Sequence, residues 1–159
     1  MPLTNPFVAP DFDMQDIRGD QYGVMSPLRN VLRAEGLGYL LLACATYQFL
    51  GFSWVQFALW FLLPDLAIFV YVFANARAGM WAYNLTHSSV GAAVVGLVGF
   101  SAQLPMCWQI SLIWFAHIGF DRALGYGLKF PLGFRVTHLG VLNGVTPKDH
   151  RDNGDFERG

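Results

Sequence analysis

Charge is absent from two long stretches of this chain, and that limits what it can fold into more than any other feature. Between Gly36 and Pro64 there is no Asp, Glu, Lys or Arg, and between Ala78 and Phe120 there is none either. A helix needs about 20 mainly apolar residues to cross a bilayer. Each stretch therefore has room for two spans joined by a tight turn. The composition agrees, with 13% charged and 54% hydrophobic residues, where soluble domains carry about 25% charged residues. The pattern excludes a disordered chain and argues against a soluble monomer. A net charge of -1 supplies no basic field for nucleic acid, so no nucleic-acid partner is expected. Cys44 and Cys107 cannot make a disulfide framework, and both read as small apolar residues.

The expected fold is all-α: a polytopic four-helix transmembrane bundle with cytoplasmic N- and C-terminal arms. The spans fall at about Glu35 to Leu50, Trp54 to Phe73, Asn84 to Gln103 and Met106 to Leu124. Gly51-Phe52-Ser53 and Leu104-Pro105 are turns, and Ala74 to Tyr83 reads as a loop. Four spans put both termini and the middle loop on one side. That side holds all ten basic residues, so the positive-inside rule places it in the cytoplasm. Residues 1–28 read as an irregular cytoplasmic arm without a signal peptide, 29–140 as the transmembrane domain, and 141–159 as a polar tail. The third span is rich in small residues, with Ala92 and Gly96 as a small-xxx-small pair. Such a slim helix is expected at the centre of the bundle, or less plainly at a dimer face.

Against this apolar background a few polar residues stand out: Glu35, Asp65, His87, His117 and Asp121, with Asn84 beside them. Ionisable groups inside spans are costly and mark function or paired structure. At the helical rise per residue, Asp65 lies roughly 13 Å and His117 roughly 10 Å from the cytoplasmic face. All five acids and imidazoles thus fall in the cytoplasmic half. His117 and Asp121 are four residues apart and share a helix face, as do Asn84 and His87 at three. Four readings stay open. The group is a hydrogen-bonded structural network, in which Asn84 caps a helix and Asp65 bonds amides freed at Pro64. It binds a divalent transition metal such as zinc, manganese or iron through Asp65, His87, His117 and Asp121. It is a proton or ion pathway. Or His87 and His117 hold a haem. Gly125-Tyr126-Gly127-Leu128-Lys129 lacks the pattern of a phosphate loop and reads as a helix stop, with Lys129 at the headgroups. Arg122, Lys129 and Arg135 would then face an anionic lipid headgroup.

The strings Arg33-Ala-Glu35, Pro64-Asp65-Leu66, Tyr83-Asn84-Leu-Thr-His87, His117-Ile-Gly-Phe-Asp121-Arg122, Gly125-Tyr-Gly-Leu-Lys129-Phe130 and Thr137-His-Leu-Gly140 occur in that order. Together they resemble a family of small bacterial integral membrane proteins catalogued as domain of unknown function 4260. The likeness covers about Leu32 to Gly140. It implies a multi-pass protein of the bacterial inner membrane and brings no activity. A looser likeness is to membrane-associated metal-dependent hydrolases, which carry Pro-Asp, Thr-His-Ser and His-x-x-x-Asp in order. The matching positions are Pro64-Asp65, Thr86-His87-Ser88 and His117 with Asp121, while Ala67, Ile68 and Asn84 stand where that pattern has further Asp and His.

Two functions are therefore expected. The first is a non-catalytic accessory or small transport component of the membrane, with the bilayer, a second copy or another membrane protein as partner. The second is a membrane-embedded metal-dependent hydrolase acting on a lipid-like substrate at the cytoplasmic leaflet.

Overall fold

The computed structural model describes residue 24 and residues 27–74, 76–130 and 136–141. Its architecture is all-α, with one two-residue hairpin beside the helices. Helix α1 spans Leu28–Phe49, α2 Trp54–Phe61, α3 Phe69–Phe73, α4 Ala76–His87, α5 Ser89–Ala102 and α6 Pro105–Leu124. A 3₁₀ segment, Leu63–Ile68, lies between α2 and α3. Strands β1 (Val136–Thr137) and β2 (Gly140–Val141) pair antiparallel.

Helix α6 is the centre of the molecule. It packs most extensively on α1, then on α5, and more lightly on α2. Its residues Ser111, Ile113, Ala116, His117, Ile118 and Gly119 are all buried. The slim third span, expected to be central, is instead peripheral. Val90, Val94, Leu97 and Val98 on α5 are exposed, and its small residues serve one neighbour. A Cβ on Gly91 would meet the ring of Trp114, one on Gly96 would meet Ser111 Oγ, and one on Gly99 would meet Cys107 Cβ. Those positions run antiparallel along α6. Ser111 Oγ also donates to the Ala92 carbonyl across the seam (2.8 Å).

Three expected boundaries are corrected. The second span is not one helix. Proline cannot donate to the helical ladder and crowds the preceding turn, and at Pro64 the chain tightens into the 3₁₀ segment before α3 resumes. The stretch Ala74 to Tyr83 is not a loop, because α4 begins at Ala76. Its Gly79 and Met80 are buried, and the helix packs against the 3₁₀ segment and α3. Asn84 consequently lies inside α4 and caps nothing. The helix start is Ser88, whose hydroxyl accepts from Val90 N–H (3.3 Å).

Direction is fixed by polar ties at both ends. Gln109 near the start of α6 donates to Tyr47 Oη near the end of α1 (2.8 Å) and to Gln56 Oε1 near the start of α2 (2.6 Å). At the other end, Arg33 Nε on α1 donates to the Ala123 carbonyl on α6 (2.9 Å). So α1 and α6 are antiparallel, with Arg29, Arg33 and Arg122 at one end. Among the described residues no single helix is both long and apolar enough to cross a membrane, but α4 and α5, bent by 44° at Ser88, are so together. Helix length and apolarity therefore do not by themselves establish the four expected spans. Helices α1 and α6 are long but carry Arg29, Arg33, Glu35, His117, Asp121 and Arg122, and α2 stops short of Pro64.

Candidate metal centre

Four side chains from three segments meet beside the second half of α6. Asp65 enters from the 3₁₀ segment, His87 from the last position of α4, and His117 and Asp121 from successive turns of α6. The proline break aims Asp65 inward; a continuous helix through residue 64 would not turn there. One ligand atom from each of the four lies within 4.8 Å of all the others. His87 Nε2 is 3.4 Å from Asp65 Oδ1 and 3.5 Å from Asp121 Oδ2. His117 Nε2 is 3.7 Å from Asp65 Oδ1, 3.9 Å from Asp121 Oδ2 and 3.2 Å from His87 Nε2. Four atoms set tetrahedrally around one ion at metal-bond lengths are about 3.3–3.6 Å apart. The observed separations bracket that spacing.

Proton positions sharpen the point. His87 Nδ1 is 2.9 Å from the Tyr83 carbonyl. A carbonyl only accepts, so Nδ1 carries the hydrogen, and Nε2 of the neutral ring is a lone pair. That lone pair faces two carboxylates and a second imidazole. A proton on His117 Nε2 satisfies one of these contacts and leaves the carboxylates opposed. A cation at the centre satisfies all four. Both histidines are buried, and His117 Nδ1 has no hydrogen-bond partner among the described residues. Asp121 is mostly covered, whereas Asp65 keeps 36% of its side chain exposed. The site therefore opens on the Asp65 side.

The surrounding side chains hold these four. Tyr83 stacks on His87, with ring centroids 3.7 Å apart, and its hydroxyl donates to Asp121 Oδ2 (3.3 Å). Thr86 Oγ1 lies 2.9 Å from His87 Nδ1 and within reach of the Pro64 carbonyl at 3.2 Å, which ties α4 to the break that carries Asp65. Trp114 Nε1 donates to the Thr86 carbonyl. Phe61 closes the apolar side, edge-on to His117. A cavity of about 10 Å³, the size of one water molecule, is lined by Tyr83, His87, Asp121 and Arg122 among others.

The supporting residues expected from sequence fall differently. Glu35 is exposed on α1 and is not one of the converging four. Its position at the start of the apolar stretch put it at the right depth on the wrong face. Asn84 is a clamp: its Nδ2 donates to the Lys129 carbonyl (2.9 Å), and its Oδ1 accepts from Lys129 N–H (2.7 Å). Lys129 is not the exposed side chain expected of a helix-stop anchor. It is buried, and its ammonium stands 4.3 Å from the centroid of the Tyr83 ring. Burial lowers its pKa to about 8, while the charges of Asp121 and Asp65 act to raise it. Arg122 lies over the ring of Tyr39 on α1 (6.0 Å). The roles of Tyr83 and Thr86 were missed. The three- and four-residue spacing of Tyr83, Thr86 and His87 was the available signal, and it was hidden by reading the segment up to Tyr83 as a loop.

The fold and site define an α-helical protein with a buried His/Asp cluster suited to a metal ion. The chain belongs to the family described as Domain of unknown function (DUF4260), which it matches over residues 29–142. No curated protein and no solved structure matches it.

Proposed function

We propose that this protein is a membrane-embedded metalloprotein in which Asp65, His87, His117 and Asp121 hold one divalent transition-metal ion for hydrolytic chemistry. The observation that carries the reading is the convergence of four donor atoms on one point, with the lone pair of His87 Nε2 set toward it by the Tyr83 carbonyl. Two nitrogens and two oxygens suit zinc, manganese or iron. A divalent ion supplies Lewis acidity and lowers the pKa of a coordinated water. The chain's own part is to orient and to shield. The Tyr83 carbonyl sets the His87 tautomer, the Tyr83 hydroxyl orients Asp121, and Phe61 keeps water from the His117 side. Half-exposed Asp65 is the ligand placed to yield a position to an incoming group.

The membrane reading rests on surface chemistry. Leu42, Phe49, Val55, Leu59, Leu85 and Leu97 are all mostly exposed. Soluble monomers rarely expose contiguous apolar patches above a few hundred Å², whereas lipid tails cover such a surface. The α4–α5 pair is long and apolar enough to cross a bilayer. The family match supports the inner-membrane, multi-pass reading only through the resemblance already drawn. A second reading is favoured by the ligand count, since four protein ligands are typical of closed structural sites. On that reading the protein is a non-catalytic accessory or small transport component.

Purified protein in detergent, dialysed against zinc and then against buffer, should retain one equivalent of metal by mass spectrometry. His117→Ala and Asp121→Asn should retain less than a tenth of that, with unchanged helical circular dichroism. Wild-type protein without metal overturns the proposal. Retained metal with no metal-dependent hydrolysis of any of a panel of carboxylic and phosphoric esters selects the second reading.

A further inference from the structure

We propose that the substrate of this centre is an uncharged carboxylic ester of a long acyl chain, with the chain laid along α2 and the ester carbonyl at the metal beside Asp65. The inference rests on the membrane and metal readings above and adds the class of substrate.

The first observation is the surface on which the site opens. Between Trp54 and Phe73 the only Asp, Glu, Lys or Arg is Asp65. In a 3₁₀ segment side chains three apart eclipse. Leu62 and Asp65 therefore share one row and Leu63 and Leu66 the next, while Pro64 and Ala67 are buried. Leu62 and Leu66, on either side of Asp65, are mostly exposed. On α6, Phe120 and Leu124 are exposed on the stripe that carries His117 and Asp121. Phe61 joins the two elements, edge-on to both His117 and Phe120. A half-exposed carboxylate in such a surface is costly against lipid tails. A molecule that covers it must offer a polar group to the centre and an apolar body to the leucines.

The second observation is charge and direction. Asp65 and Asp121 bring two negative charges, and a divalent ion cancels them. The Lys129 ammonium lies beyond the Tyr83 ring, which is stacked on His87, and Arg122 lies over Tyr39 of α1. Helix α2, the 3₁₀ segment and α3 contain no Lys or Arg, so the elements around Asp65 supply no cation for an anionic group. Such a group would be desolvated there without a counter-charge. An ester carbonyl adds no charge and gives one oxygen to the ion. Helix α2 leads from the site toward the Gly51 end over about 12 Å, with Leu59 and Val55 mostly exposed along it. The acyl chain would follow α2 and leave the alcohol side of the ester toward the basic end. Hydrolysis adds the water oxygen to the carbonyl carbon and breaks the bond from that carbon to the alcohol oxygen. One water proton passes to the alcohol oxygen, and the other is released as the acid ionises.

The test uses full-length protein in detergent loaded with cobalt, whose visible absorption reports a new ligand on the ion. N-methylimidazole and N-dodecylimidazole are uncharged donors that differ only in chain length. Wild type should bind the long one more tightly. Leu62→Ala combined with Leu66→Ala should lower the ratio of the two affinities about 10-fold, the effect of about two buried methylenes. Partition into micelles is common to all variants and cancels. Leu97→Ala, on the exposed face of α5, should leave the ratio unchanged. Metal content is read on every sample, and Leu66→Ala alone replaces the double variant if the latter loses cobalt. A ratio unchanged in the double variant, or lowered as much by Leu97→Ala, with cobalt retained, overturns this inference alone. Wild type without cobalt overturns both the metal reading and this one. Zinc-loaded protein should release dodecanoate from methyl dodecanoate and leave methyl dodecyl phosphate intact. Cleavage of the phosphodiester overturns the uncharged class, and cleavage of neither overturns the ester together with the hydrolytic reading.

Discussion

His138 joins three parts of the chain through its backbone and one ring nitrogen. Its Nδ1 accepts from Leu128 N–H (2.8 Å), its N–H donates to the Leu128 carbonyl (3.0 Å), and its carbonyl accepts from Val24 N–H (2.8 Å). Nδ1 can accept only while the ring is neutral. Burial lowers the pKa from its ordinary 6.5, and the charge of Arg122 lowers it further. A depressed folded pKa means that the unfolded chain takes up the proton first as pH falls. The stabilisation is therefore fully present above the unfolded value, and it is lost as pH drops through the folded one. Amide exchange at Leu128 should accelerate below pH 6 beyond its intrinsic rate, and the effect should vanish in His138→Asn. Exchange at Leu128 that tracks only the intrinsic rate would count against this role.

The converging four were legible in the sequence because ionisable groups are costly in apolar stretches, and the helical period sets their depth. Lys129 and Asn84 were not. Their pairing joins an interior position of α4 to a segment beyond the end of α6, and no local pattern encodes that contact. Lys129 looked like an ordinary anchor because a lysine after a glycine turn usually is one. Its burial depends on Tyr83 and Asn84 arriving from another helix.

Where α1 crosses α6, the backbones touch. A Cβ on Gly119 would fall 2.6 Å from both the Gly36 carbonyl oxygen and Leu40 N, and one on Gly36 would fall 2.6 Å from Arg122 Cβ and 2.9 Å from Ala123 N. These neighbours are mostly backbone and cannot swing away. Gly119→Ala should therefore destabilise the fold by about 1–3 kcal/mol, the cost of overpacking. Gly38, two residues along α1 from Gly36, has nothing within 4 Å of its Cβ position. There the substitution to Ala should stabilise by about 0.5–1 kcal/mol through helix propensity. Thermal unfolding in detergent compares the two, and equal shifts would show that the crossing is not tight. Small residues at helix contacts were readable in α5. Gly36 and Gly119 were not, since nothing local says which of several glycines faces a partner. Helix α4 was misread because Asn75, Arg77 and Gly79 are loop-like in composition, whereas packing against the 3₁₀ segment buries Gly79 and Met80.

On the proposed membrane reading, the arrangement of all the helices sets an expected orientation in the bilayer. Arg33 binds the last turn of α6, so the start of α1 and the end of α6 share a level. Asn84 is joined to Lys129, and His87 lies level with His117, so α4 begins near that end with Arg77 further out. Arg29, Arg33, Arg77, Arg122 and Lys129 therefore gather on one side of the His/Asp cluster. The opposite end carries the turn around Gly51, the Gln103–Leu104 turn, and the amide and phenol contacts of Gln56, Gln109 and Tyr47, with no Lys or Arg among the described residues. Trp54 donates to Gln48 Oε1 at that end (2.7 Å), an amphipathic pairing that suits a headgroup layer. Basic residues remain on the cytoplasmic face, so the metal site should open to the cytoplasm. In intact bacteria expressing a protein with Cys44 and Cys107 replaced by Ala, a membrane-impermeant maleimide should label Ser53→Cys. Arg77→Cys should react only after permeabilisation. Labelling of Arg77→Cys in intact cells with Ser53→Cys protected would invert the orientation. Labelling of both would place the turn at Ser53 and the basic end on the same side, which the four-span arrangement expected from the sequence does not allow. The membrane reading, and with it a leaflet-facing metal site, would then fall.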